Sequence, residues 1–105
     1  MITHILSLFS RSVYALIDPG SILSYISPFV ASRIRIESEL IEPFVVATPV
    51  EDFVIVTRVY RNCSVVIYSR RTIADLIELN MIEFDIIMGP IGWLLVMLML
   101  IVEER

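Results

Sequence analysis

The stretch that decides the fold of this 105-residue chain reads ALIDPGS and occupies residues 15–21. It begins with apolar and β-branched side chains, which favour an extended strand, and it ends in Asp18, Pro19 and Gly20, which favour a turn. A carboxylate at this position is held out from the end of a strand, and glycine permits turn torsions that other residues resist. By itself the pattern leaves two interpretations open, since Asp18 is either a catalytic carboxylate or a turn residue before proline.

Short strands separated by turns are predicted on both sides of this stretch. Residues 24–30 continue as a strand or become a short helical turn, and the glutamates between 37 and 42 form a polar connector. Further strands are predicted at 44–48, 53–60, 63–68, 72–79 and 85–88, with Asn62 as a break and with 44–60 as a hairpin. This succession indicates a mainly β chain, folded as a small barrel or sandwich.

Composition and charge exclude several classes of function. The net charge is −4, and the eight basic residues are all arginines without a cluster, so the chain lacks the positive surface that nucleic acids require. Cys63 is the only cysteine, which excludes an internal disulfide and a thiolate zinc site. His4 is the only histidine and lies near the terminus, so a Ser–His or Cys–His mechanism has little support. We predict neither metal nor cofactor, and the lone thiol favours a cytoplasmic location.

The order of the motifs resembles that of retropepsin-like aspartic proteases, in particular those of gypsy-type plant retrotransposon polyproteins. ALIDPGS followed by SYIS at 24–27 is similar to the active-site strand of that family and the segment after it. The similarity continues through ATPV at 47–50, VYRNC at 59–63, ADLI at 74–77 and FDIIMG at 84–89.

The resemblance implies a closed β-barrel domain at residues 10–89, an N-terminal extension at 1–9 and an apolar tail at 90–105 that is foreign to the fold. It also implies that Asp18 is the catalytic residue, that Pro19, Gly20 and Ser21 complete the active-site loop, and that the hairpin at 44–60 is the flap.

An aspartic protease needs two carboxylates that share a proton, and this chain has one Asp-x-Gly. The second carboxylate must therefore come from another copy in a two-fold dimer. The implied partners are a second copy of the chain and an extended polypeptide substrate, and the implied function is polyprotein processing by a retrotransposon endopeptidase.

Pro19 departs from the family pattern, in which Ser or Thr follows the aspartate. In the family that hydroxyl hydrogen-bonds across the dimer axis, and the loss of a buried hydrogen bond costs about 1–3 kcal/mol. We therefore expect an impaired enzyme. The alternatives are a non-catalytic domain that binds extended peptides and a small tail-anchored membrane protein.

The tail is the second departure from the family. Seventeen uncharged residues run from 86 to 102, where the family continues Met-Asp-Trp-Leu and ends in a strand reading Asp-Cys-Arg. Suitable codons for residues 91–103, read one nucleotide out of register, spell Asp-Trp-Leu-Ala-Ser-Cys-Tyr-Ala-Asn-Val-Asp-Cys-Arg. Our hypothesis is a frameshift near residues 89–90, followed by a tail that is helical or poorly packed.

Membrane contact through 91–102 is the rival interpretation of the tail. The apolar run reaches only the lower limit for a membrane span, roughly 17–25 residues, so we favour a tail without a selected anchoring role.

Overall fold

The computed structural model describes residues 2–48 and 53–90. Within them the chain forms seven strands and one helix. In chain order these are β1 (Ile2–Leu8), β2 (Arg11–Ile17), β3 (Tyr25–Ile26), α1 (Pro28–Ile34), β4 (Glu39–Val46), β5 (Val54–Ile67), β6 (Arg70–Glu78) and β7 (Ile86–Met88).

Six of the strands close into a barrel. The sheet runs in the order β1-β2-β7-β3-β6-β5-β4, and β1 also pairs with β5 through Ser7↔Val66 and Leu8↔Val65. This second pairing joins β5 back to β1 and leaves β4 as an arm attached to the first half of β5. Closure pairs β1 with β5 and so removes the open edges of the barrel itself, whereas β4 keeps one unpaired side. The prediction of a mainly β, closed-barrel fold is confirmed.

Two tight hairpins set the register of the barrel. Phe9 and Ser10 connect β1 to β2, and Tyr68 and Ser69 connect β5 to β6, each pair with positive φ at both positions. Positive φ at both central residues is what the two-residue type I′ turn requires, and this turn matches the right-handed twist of paired strands. Neither pair contains glycine or asparagine. The pairing of the flanking strands, and not the turn propensity of these residues, therefore determines the turn conformation.

The N-terminal residues differ from expectation. We expected an extension at residues 1–9, whereas β1 pairs with the whole of β2, from Ile2↔Ile17 to Leu8↔Arg11. Leu6 and Leu8 are buried in the core because alternate residues of β1 face the inside of the barrel. The first strand is therefore an integral part of the fold.

Two further boundaries also differ. Asn62 does not end a strand, since β5 runs through it with a bulge between Tyr60 and Cys63, and the Asn62 amide donates to Asp75 Oδ1 at 3.0 Å. The glutamate-rich segment is not a connector, because β4 already begins at Glu39. Its side chains are mostly exposed, as befits an arm that pairs on one side only.

Buried side chains form two clusters, with β2 and β7 between them. Ile17 and Met88 belong to the first cluster, whereas Leu16 and Ile87 belong to the second. Both faces of these two strands are thus buried, which accounts for their continuous apolar sequence. The end of β2 is consequently packed on both of its faces.

No helix within the described residues is long and apolar enough to cross a membrane. The predictions made for the tail at 91–105 and for the turn at 49–52 fall outside the described residues.

Candidate active site

Asp18 directly follows β2, where the part of that strand buried between the two clusters ends. Its amide donates to the carbonyl of Met88 at 2.9 Å, which extends the parallel pairing of β2 and β7 by one residue. The residue is 8% exposed. A buried carboxylate needs hydrogen-bond donors or a positive partner, and here the Gly20 amide is a donor to it.

The turn after Asp18 folds back onto its carboxylate. The Gly20 amide donates to Asp18 Oδ1 at 2.9 Å, and the Ser21 amide donates to the Asp18 carbonyl at 3.2 Å. A Cβ at Gly20 would lie 3.3 Å from the same Oδ1, so glycine allows this close approach. No glycine in the described part of the chain has positive φ. The torsional freedom expected for Gly20 is therefore not what the turn uses.

Within the active-site loop, Ser21 is buried and Pro19 is exposed. The Ser21 hydroxyl donates to the Leu23 carbonyl at 2.7 Å, and Ser21 is buried. Next to it, burial raises the pKa of the Tyr25 phenol above its ordinary value of 10.0, and the Ser21 side chain partly opposes the shift. Pro19 is exposed and contributes no donor.

Gly89 holds the active-site loop against β7 through a hydrogen bond and through close backbone packing. Its amide donates to Ser24 Oγ at 2.9 Å, and a Cβ there would lie 2.7 Å from the Ser21 carbonyl oxygen. Real side chains do not approach a backbone oxygen so closely, so only glycine fits. The strand β7 thereby holds both ends of the loop, through Met88 at Asp18 and through Gly89 at Ser24.

The arm formed by β4 and the first half of β5 packs on the same side as Leu16. Val46 and Val56 belong to the buried cluster that contains Leu16, and continued alternation along β2 places the Asp18 side chain on that side. The strands expected to form the flap are therefore paired with each other, while residues 49–52 fall outside the described part.

A cavity of about 250 Å³ lies between this arm and the active-site loop. Its apolar lining comes from Leu23, just after the loop, and from Ile41, Phe44, Val59 and Ile77 of the strands. The charged residues Arg61 and Asp75, which form an ion pair with each other, also line it. Its walls are mainly apolar, so it is suited to an aliphatic or aromatic side chain rather than to a charged one.

Of the predicted site residues, the structure brings Asp18, Gly20 and Ser21 into one hydrogen-bonded turn, with Pro19 on its outer side. Sequence reasoning missed the roles of Ser24 and Gly89, which lie 65 residues apart. No local pattern connects two such positions. The only indication that these segments meet was the order of motifs. In that order SYIS follows the aspartate, and IIMG ends the domain.

Comparison with known proteins identifies the family. The chain matches the family described as retroviral aspartyl protease over residues 1–102, which is nearly its whole length. The chain therefore belongs to the retroviral aspartyl protease family. A search of curated proteins finds no match.

Solved structures agree with the fold. The chain is similar to the retroviral protease-like domain of Ddi1 from Leishmania major, with a TM-score of 0.57 and 14% identity. The alignment covers 88% of this chain and 71% of that one. At this level of identity the likeness shows a retropepsin-like fold.

Proposed function

We propose that the chain derives from a retrotransposon endopeptidase that cleaves extended polypeptides as a homodimer, and that this copy is impaired. The observation that supports the proposal most strongly is Asp18 itself: a nearly buried carboxylate at a strand end, held by the Gly20 amide. One such group orients a water molecule. The division into acid and base roles requires a second carboxylate, supplied by the Asp18 of another copy.

The apolar cavity beside the loop supports an endopeptidase with an extended substrate. A peptide laid between the arm and the loop would place one side chain near Leu23 and Phe44. We therefore propose that the substrate carries a large apolar residue next to the cleaved bond. This preference follows from the cavity lining and does not depend on the polyprotein origin.

Impairment is inferred from two independent features. Pro19 cannot supply the hydroxyl that the family places across the dimer axis, and this exposed residue has no N–H to donate in its place. The tail, which lies outside the described residues, replaces the sequence that ends the family's domain. Both features weaken association of two copies, and a single copy offers one Asp-x-Gly carboxylate.

Repair should restore catalysis only when both features are corrected. The assay is hydrolysis of a long apolar peptide between about pH 4 and about pH 7, where one of two paired carboxyls can keep a proton. We expect little or no cleavage by the unaltered chain or by Pro19→Ser alone. Pro19→Ser combined with a tail reading Met-Asp-Trp-Leu-Ala-Ser-Cys-Tyr-Ala-Asn-Val-Asp-Cys-Arg after Gly89 should give measurable cleavage at acid pH.

The control for that assay is Asp18→Ala in the repaired chain, which should abolish cleavage. Robust activity in the unaltered chain, or activity that survives Asp18→Ala, would show that the proposed mechanism is wrong. The nucleotide sequence of codons 85–105 and beyond provides a separate check, because the frameshift hypothesis requires the missing motif in the neighbouring frame.

A non-catalytic peptide-binding domain is the second candidate function. The observation that favours it is the arm, whose outer face exposes Val45 and Ile55, at 58% and 65%. Exposed apolar side chains on a sheet face provide contact area for an extended peptide without any catalytic group. Peptide binding by the repaired chain without turnover would favour this function over the first.

A further inference from the structure

A second cavity, which is lined in part by charged residues, lies at the opposite end of β2 from Asp18. Its volume is about 290 Å³. Arg11 and Ser12 at the start of β2 line one side, Phe29, Arg33 and Ile34 of α1 line another, and Asp85 also borders it. Asp18 lies seven positions after Arg11 along extended chain, which corresponds to about 23 Å. The cavity is therefore distinct from the candidate active site.

Two positive charges at this cavity form no ion pair with any residue that the structure describes. Neither Arg11 nor Arg33 forms an ion pair with any residue in 2–48 or 53–90, where both salt bridges belong to Arg61. Asp85 is the one carboxylate in the lining, and its Oδ2 already accepts a hydrogen bond from the Tyr14 amide at 2.8 Å. The cavity thus carries an excess of positive charge in a chain whose net charge is −4.

The position of the Arg33 guanidinium is defined by a neighbouring aromatic ring. Its Cζ lies 5.5 Å from the centre of the Phe29 ring, four residues earlier on the same helix. Stacking of this kind limits the rotamers of an arginine and leaves its N–H groups free to bind an acceptor. Beside it, Phe29 and Ile34 provide apolar wall, so the cavity combines cationic donors with a hydrophobic surface.

We propose that this cavity binds an acidic peptide segment, in which a carboxylate meets Arg11 and Arg33 and a neighbouring apolar side chain contacts Phe29 and Ile34. Guanidinium groups bind carboxylates through paired N–H donors, and two such groups around one cavity favour an anion over a neutral ligand. The apolar wall favours a peptide over a free inorganic anion. The proposal does not require catalysis, since it concerns a site at the far end of the strand from Asp18.

The test is binding of a fluorescein-labelled hexapeptide of alternating Glu and Leu to the full chain carrying Asp18→Ala, so that cleavage cannot intervene. Fluorescence anisotropy should show binding that weakens with added salt. Arg11→Gln and Arg33→Gln should each reduce the affinity by about tenfold, the effect expected for the loss of a charge-assisted contact. Both side chains are exposed, so the variants should keep the wild-type thermal midpoint.

The matched control is Arg71→Gln, which removes the same charge from an exposed position of β6 outside the cavity lining. It should change the affinity by less than about twofold. An equal loss in Arg71→Gln would mean that net charge alone governs binding and would overturn the proposal. Equal affinity for a peptide with Gln in place of Glu, unchanged affinity in both cavity variants, or displacement by inorganic phosphate as effective as by unlabelled peptide would also overturn it.

Discussion

Gly89 shows how one missing side chain positions the candidate active-site loop. A Cβ there would lie 2.7 Å from the Ser21 carbonyl oxygen and 3.0 Å from that of Leu23, and both contacts are with backbone. Gly89→Ala should therefore push the loop away from β7 and lower the free energy of unfolding by about 1–3 kcal/mol, as measured by urea denaturation. Gly20→Ala is the control, because its Cβ would meet only the Asp18 carboxylate at 3.3 Å and φ is not positive. A loss in Gly20→Ala as large as in Gly89→Ala would contradict this account.

We expect the buried thiol of Cys63 to make the folded state less stable in alkali. Burial, assisted by the nearby negative charge of Asp75, raises the pKa of its thiol from 9.0 to about 11. A folded-state pKa above the unfolded value means that the contribution is fully present below about pH 9 and is lost as pH rises towards about pH 11. Urea midpoints should therefore fall over this range, and the fall should be smaller in Cys63→Ala. An identical fall in both proteins would assign the effect to other groups, such as Tyr60, whose pKa burial and Glu78 raise to about 12.

At the scale of elements, Asp85 ties three segments together ahead of β7. Its backbone amide donates to the Tyr14 carbonyl at 2.8 Å, its carboxylate accepts from the Tyr14 amide, and its carbonyl accepts from the Ser27 amide at 2.9 Å just before α1. Asp85→Ala should remove the acceptor for the Tyr14 amide and destabilise the fold by about 1–3 kcal/mol. Asp85→Asn keeps an oxygen acceptor and should retain most of the stability. Thermal denaturation of the two variants compares them, and equal losses would show that charge, not the hydrogen bond, matters.

For the whole molecule, the apolar tail should control solubility rather than folding. The six strands of the barrel all lie within residues 2–88, and so do the members of both buried clusters that the structure describes. Deleting residues 90–105 removes most of the uncharged apolar run. We expect less aggregation and less pelleting with membranes, measured by sedimentation of expressed protein, together with an unchanged β-sheet signal in circular dichroism. Loss of folding without a gain in solubility would show that the tail completes the core.

The local sequence determined the strand that carries Asp18, the turn after it and the β character of the chain. Apolar and β-branched runs interrupted by polar turns carry that information over short distances, because alternation and turn propensity are properties of neighbouring residues. The order of motifs added the family and the candidate catalytic residue. The same reasoning failed at β1, whose residues carry no turn signal that distinguishes an extension from a paired strand.

Only the tertiary structure decided which distant segments meet. The barrel closes because β1 pairs with β5, the Asp18 loop is fixed because Ser24 receives the Gly89 amide, and the cationic cavity exists because α1 packs against the start of β2. Each of these contacts joins residues that lie far apart in the chain. Their geometry depends on the packing of both cores at once, and no window of sequence contains that information.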